Sequence, residues 1–276
     1  MLIDAHTHIW RAVSPGASGP VTTVSSLCDV PLELLIGYMD EYGVDRAVLV
    51  QPLFPGEDNS YVAESAQAHP DRFTAVCVVD PRTKNFEERL SYWVGQRGCR
   101  GLRLRPFIAG EEVLFRDPAF SRVWENIAEL KTVVNVLIAA EQLPLLETWV
   151  ERFPQMEVLI DHIGYPQIAL GTTGVDFESL GRLARFPNVS LKVSGYYYFS
   201  NQRYPFADCW DIFRAIYHEW GPERLIWGSD FPHVLLKCGY RPALLFQERF
   251  FDFLGTQDLS LIMGGNALRL YWKDSL

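Results

Sequence analysis

The feature that most constrains this chain is a repeated alternation. Eight short apolar runs rich in β-branched residues recur along it: Leu2 to His8, Arg46 to Gln51, Thr74 to Asp80, Gly101 to Pro106, Thr132 to Ile138, Glu157 to His162, Val189 to Ser194 and Leu225 to Asp230. Each is short enough to be a buried strand. Between them lie helix signals. Pro31 and Gly43 bracket the apolar stripe of LELLIGYMDEY, and Asp117 and Pro118 open FSRVWENIAEL as an N-cap and a first-turn proline. Gln142 to Phe153, Phe177 to Phe186, Phe206 to Trp220 and Pro242 to Leu254 read as helices by the same tests. Strands alternating with helices over about 230 residues, then a helical tail, predict an α/β fold of the (β/α)8 TIM-barrel type. No internal repeat and no Gly/Ser linker divides residues 1–276, so one barrel domain is expected, starting at its first strand.

Composition narrows the partners. With 25 Lys and Arg against 34 Asp and Glu, the net charge is −9, and no basic block offers a footprint for nucleic acid or anionic lipid. Cys28, Cys77, Cys99, Cys209 and Cys238 are odd in number and lack CxxC spacing, which fits a reduced, cytoplasmic protein better than a disulfide framework or a thiolate zinc site. MLIDAHTH places charge and histidine where a signal peptide needs an apolar core, and no apolar run approaches a membrane span. The expected partner is a small molecule. Phe250, Phe251 and Phe253 would suit either a homo-oligomer contact or packing against the barrel.

In such a barrel the active site lies at the C-terminal ends of the strands. The polar residues there are His6 and His8 on strand one, Gln51 on two, Asp80 on three, Arg103 and Arg105 on four, His162 on six, Lys192 and Ser194 on seven, and Asp230 on eight. His6 and His8 are two apart and share a strand face, expected to be the interior. A barrel would converge three histidines and an aspartate, and so many ionisable groups in one mouth are costly without a task. Arg103 and Arg105 either face outward to helices or clamp an anion. Lys192 is a general acid or a partner for Asp230. His233 supports the site or touches substrate, and Tyr196, Tyr197 and Tyr198 stack on a ligand or pack. His69 and His218 read as helix-end residues. The long segments Arg11 to Pro31, Ile163 to Val175 and Tyr196 to Pro205 come after strands one, six and seven, where loops of that length are functional or disordered.

The HTH of IDAHTHIW, then LIDHIG, LKVSG, WGSDFPH and the late MGGNALRLY, in that order over residues 2 to 271, resemble the amidohydrolase-2 group of the amidohydrolase superfamily. The resemblance implies a (β/α)8 barrel that hydrolyses or decarboxylates at its strand ends. In metal-binding members the ligands would fall on His6, His8, Asp230 and further residues of strands four or five. This chain departs there: strand five runs VVNVLIAAEQ, with Ala139 and Ala140 in place of a histidine, and strand four ends RLRP. The pattern is most similar to the metal-independent lactonases of the group, which open pyrone-dicarboxylate or sugar-acid lactones.

The expected reaction is therefore lactone hydrolysis with no cofactor. Asp230 takes a proton from water, and His6, His8 and His162, at least one protonated, stabilise the oxyanion. Arg103, Arg105, Gln51, Lys192 and His233 are candidate substrate contacts, with Tyr196 and Trp10 over a ring face. The alternative is one zinc on His6, His8 and Asp230 in a decarboxylase or hydrolase, with His162 as acid or base. Lactone isomerisation through Lys192 or His162, and a non-catalytic barrel that binds a sugar acid, complete the set.

Overall fold

The computed structural model describes residues 1–12, 28–53 and 56–273. Eight parallel strands succeed one another in chain order around a barrel: β1 (Ile3–Thr7), β2 (Arg46–Val50), β3 (Phe73–Val78), β4 (Gly101–Leu104), β5 (Val133–Val136), β6 (Val158–Ile160), β7 (Val189–Lys192) and β8 (Leu225–Ile226). All eight apolar runs are strands, each shorter than its run. Helices connect them. Leu32–Tyr42 starts after Pro31 and stops at Gly43, whose φ of 71° places it in the left-handed region that glycine adopts without a side-chain penalty. Asp117 accepts the Ala119 N–H ahead of Ser121–Glu129. The stretch Pro242 to Leu254, expected as one helix, is broken into Tyr240–Leu244 and Phe246–Phe250. Most of Arg11 to Pro31 lies outside the described residues.

Two apolar layers hold the barrel. Strand residues such as Leu49, Leu102, Val136 and Ile160 pack outward on helix residues Leu35, Ile127, Leu146 and Phe213. Ile3, Ala5, Val48, Val76, Leu159 and Ile226 form a second cluster with Tyr271 of the C-terminal helix Asn266–Tyr271. Side chains alternate along a strand, so His6 would point away from Ile3 and Ala5. A register shift prevents this: Asp4 lies opposite Ala47 but Thr7 opposite Leu49, so β1 carries one extra residue, a bulge that re-aims the side chains after it. Ala5 and His6 both face inward.

The seam between β8 and β1 is closed by the Ala5 N–H on the Trp227 carbonyl (3.2 Å), Asp230 on His6 (2.8 Å) and His8 on Phe231 (2.7 Å). Buried Asp4 staples it, with Oδ1 accepting the N–H of Ser229 at 2.8 Å and of His6 at 3.3 Å, and Oδ2 the Tyr240 hydroxyl at 2.8 Å. A Cβ on Gly228 would lie 2.8 Å from that of His6. Glycine is what lets the two segments approach. Among the described residues no helix is long and apolar enough to cross a membrane.

Candidate active site

Above the apolar layer lies a buried charged layer. Lys192, wholly buried, has its Nζ 2.9 Å from His6 Nδ1, 2.9 Å from Asn135 Oδ1 and 3.0 Å from Asp161 Oδ1. Arg103 Nε donates to Asp161 Oδ2 at 2.9 Å. Burial opposes ionisation of Asp161, but Lys192 and Arg103 overcome it and hold the carboxyl well below its usual range. Burial also lowers Lys192, against the pull of Asp161. Three acceptors surround its ammonium, so Lys192 braces the floor of the site and pairs with Asp161, not Asp230.

His6, His8 and Asp230 meet on this layer. His8 Nδ1 lies 2.7 Å from the Val50 carbonyl, which can only accept, so Nδ1 carries a hydrogen. Nε2 of His8 lies 3.1 Å from His6 Nε2 and 3.3 Å from Asp230 Oδ1. The hydroxyls of Tyr197 and Tyr198 donate to Asp230 Oδ2 at 2.6 and 2.7 Å. Burial disfavours its charge, yet the His8 hydrogen bond and the neighbouring imidazoles hold Asp230 well below the ordinary carboxyl value. Burial, with Lys192 next, keeps His6 far below its ordinary value, and burial brings His162 down to about 4. These two imidazoles are neutral near pH 7.

Two of these residues depend on unusual backbone. Strand alternation sets Asp161 and His162 on opposite faces, but φ is 51° at His162 and 58° at Ile163, a left-handed turn that brings both side chains over the barrel. A Cβ on Gly195 would lie 2.7 Å from His162 Nδ1. Its absence leaves room for the contact of that nitrogen with Ser194 Oγ at 2.9 Å. Asp230 has φ 59°. Side chains rarely adopt this region, and such strain concentrates at working sites.

The other candidates divide. Arg103 is 3 % exposed, and among the described residues its Nη1 and Nη2 hydrogen-bond no protein group, so a two-pronged donor is open. Arg105 is held by both oxygens of Glu111, at 3.1 and 2.5 Å. Gln51 donates to the Gly56 carbonyl at 2.8 Å. Trp10 donates to the Cys28 carbonyl at 2.9 Å and stacks on His233, which sits edge-on to His8. Tyr196 turns away, its ring among Phe199, Phe213 and Phe246, because successive residues of a helical turn point about 100° apart. Sequence reasoning missed Asp161, Asn135 and Glu111, and read Tyr197 and Tyr198 as stacking or packing rings where their hydroxyls meet Asp230. The LIDHIG motif contained a signal for Asp161, a carboxylate at a strand end.

Fit to a metal was tested on the donors. Separations of 3.1, 3.3 and 3.7 Å among His6 Nε2, His8 Nε2 and Asp230 Oδ1 suit three donors sharing one ion, and His6, His162 and Asp230 also cluster at metal-binding range. A ligating imidazole donates its other N–H to an acceptor, as His8 does. Nδ1 of His6 lies 2.9 Å from the Lys192 ammonium and 3.4 Å from Asp161 Oδ1. Donating to Asp161, it would leave Nε2 free to share one ion with His8 and Asp230; accepting from Lys192, it puts the hydrogen on Nε2, which then cannot ligate.

A parallel barrel with its ionisable groups gathered at the C-terminal strand ends is built as TIM-barrel enzymes are. Residues 3–272 match the amidohydrolase family, and the chain belongs to it. L-fucono-1,5-lactonase of Burkholderia ambifaria is 27% identical over 277 residues, 99% of this chain and 96% of that one. A 2-pyrone-4,6-dicarboxylate hydrolase of Comamonas testosteroni is 26% identical, covering 99% and 91%. An amidohydrolase of Burkholderia multivorans, solved with bound zinc, superposes with a TM-score of 0.83 at 26% identity over 99% of both chains.

Stability should depend on pH through these buried imidazoles. His6 and His162 are neutral in the fold and regain their ordinary value of 6.5 on unfolding, so the unfolded chain binds more protons as pH falls below 6.5. Stability present above that pH is lost on the way to about 4. Asp4, raised by burial to about 6 from 3.8, acts oppositely, since the folded chain protonates first and recovers part of the loss. Two imidazoles outweigh one carboxyl. Calorimetry is expected to show the thermal midpoint falling by several degrees between pH 7 and 4.5, and a flat profile would mean the imidazoles are charged in the fold.

Proposed function

We propose that the protein is a lactonase that opens its substrate with water and needs no metal. The observation that carries this reading is the convergence of Asp230 Oδ1 and His8 Nε2, 3.3 Å apart, beside the open prongs of Arg103. The named activities of the relatives support it. Asp230 Oδ1 takes a proton from water as the oxygen attacks the lactone carbonyl. Its low pKa makes it a weak base, so position and desolvation supply the effect. Arg103 and the His6 Nε2–H stabilise charge developing on the carbonyl oxygen. The carbon–oxygen ring bond then breaks, and the leaving oxygen receives the proton held by Asp230. The Tyr197 and Tyr198 hydroxyls fix the other carboxylate oxygen so that Oδ1 stays aimed.

Elemental analysis of untagged protein, with turnover of an aldonolactone and pyrone panel before and after chelation, tests the reading. Sub-stoichiometric metal and chelator-resistant hydrolysis are expected. Activity lost on chelation and restored by zinc would overturn the metal-free mechanism, and no turnover of any lactone would overturn the activity.

A further inference from the structure

Charges at the C-terminal strand ends pair off. Lys192 and Arg103 share Asp161, at 3.0 and 2.9 Å, and Arg105 is clamped by Glu111, a pair 8 % and 5 % exposed. Asp230 supplies the third carboxylate against these three cations. The neighbouring Asp80 is closed off by Arg82 at 2.7 Å. The undescribed residues 13–27 and 54–55, which come after β1 and β2, contain no ionisable side chain. Among the buried cations of the described residues, Arg103 has both Nη groups without a protein partner and Arg105 keeps Nη1.

A dicarboxylated lactone would bring two charges into this neutral, buried setting, and each buried charge left unpaired is strongly unfavourable. An uncharged lactone leaves the balance intact. Hydroxyls on it can use the groups already paired, because a bidentate ion pair has lone pairs and N–H bonds left at its edge. We propose that Glu111 is a specificity determinant: by neutralising Arg105 it selects uncharged, hydroxylated lactones over dicarboxylated ones. This rests on the lactonase reading for the reaction and on the Arg105–Glu111 geometry for the selection. Selectivity arises from a group set against the wrong substrate, not from added contacts to the right one.

The test compares kcat/KM for an uncharged aldonolactone and for a pyrone dicarboxylate on one sample, so that any misfolded fraction cancels in the ratio. Wild type is expected to favour the uncharged lactone at least tenfold. Glu111→Gln frees the Arg105 charge and should shift the ratio at least tenfold toward the dicarboxylate, while Arg105→Gln, which leaves Glu111 unpaired, should shift it the other way. A wild-type preference for the dicarboxylate overturns the proposal and leaves lactonase activity standing. A ratio that Glu111→Gln moves by less than twofold removes Glu111 as its cause. If nothing turns over, the activity fails separately, and thermal-shift titration with the matching uncharged and dicarboxylated lactams still reads the selection: tighter binding of the dicarboxylate overturns it, and tighter binding of the uncharged lactam upholds it.

Discussion

Asp230→Asn is expected to lower kcat by roughly 10² to 10⁴, the contribution of a positioned general base, with KM little changed. The direction comes from the two sides of this carboxylate. Oδ2 receives the hydroxyls of Tyr197 and Tyr198, so the asparagine carbonyl is held on that side. Its amide NH₂ then faces His8 Nε2 and the mouth, presenting donors where the reaction needs an acceptor. The side chains are nearly equal in volume, so the fold should persist, and a thermal melt checks that it does. Turnover within tenfold of wild type on the best lactone of the panel would show that another group takes the proton.

The second large effect is on stability. Asp161→Asn removes the carboxylate that Lys192 and Arg103 share and leaves two buried cations facing each other. Breaking a buried pair from one side costs about 3–5 kcal/mol, and for a chain of this size each kcal/mol moves the thermal midpoint by roughly 2–4 °C. A fall of about 10 °C is therefore expected by calorimetry. Adding Lys192→Met to the same variant takes one cation away and should recover part of the loss, a coupling that a double-mutant cycle measures. A variant that melts within 2 °C of wild type, a bound set by the same scaling, would mean that the charged layer relaxes or admits water at little cost.

Much of the barrel was legible because strand periodicity is local. A β-branched run between turn residues declares a strand wherever it stands, and eight of them in alternation with helices leave few architectures open. The polar strand ends were legible for the same reason, and His6 and His8 share the interior as their spacing requires. Local rules also misdirect where the backbone departs from the regular strand. Reading His162 as the inward residue of its strand sets its neighbour Asp161 aside, yet the left-handed turn at φ 51° brings both to the centre. In the tyrosine run nothing local distinguishes the ring that packs from the two that reach Asp230.

Residue order along the chain was sufficient for the sequence of strands, the end of the barrel that carries the chemistry and the residue types available there. The pairing of those residues was decided in three dimensions. Arg103 meets Asp161 from 58 positions away, Lys192 takes that same carboxylate and not Asp230, and Glu111 reaches back to Arg105. A bulge of one residue in β1 turns His6 inward. Coulomb energy and hydrogen-bond geometry depend on distances between side chains, and barrel closure sets those distances, which no local pattern encodes.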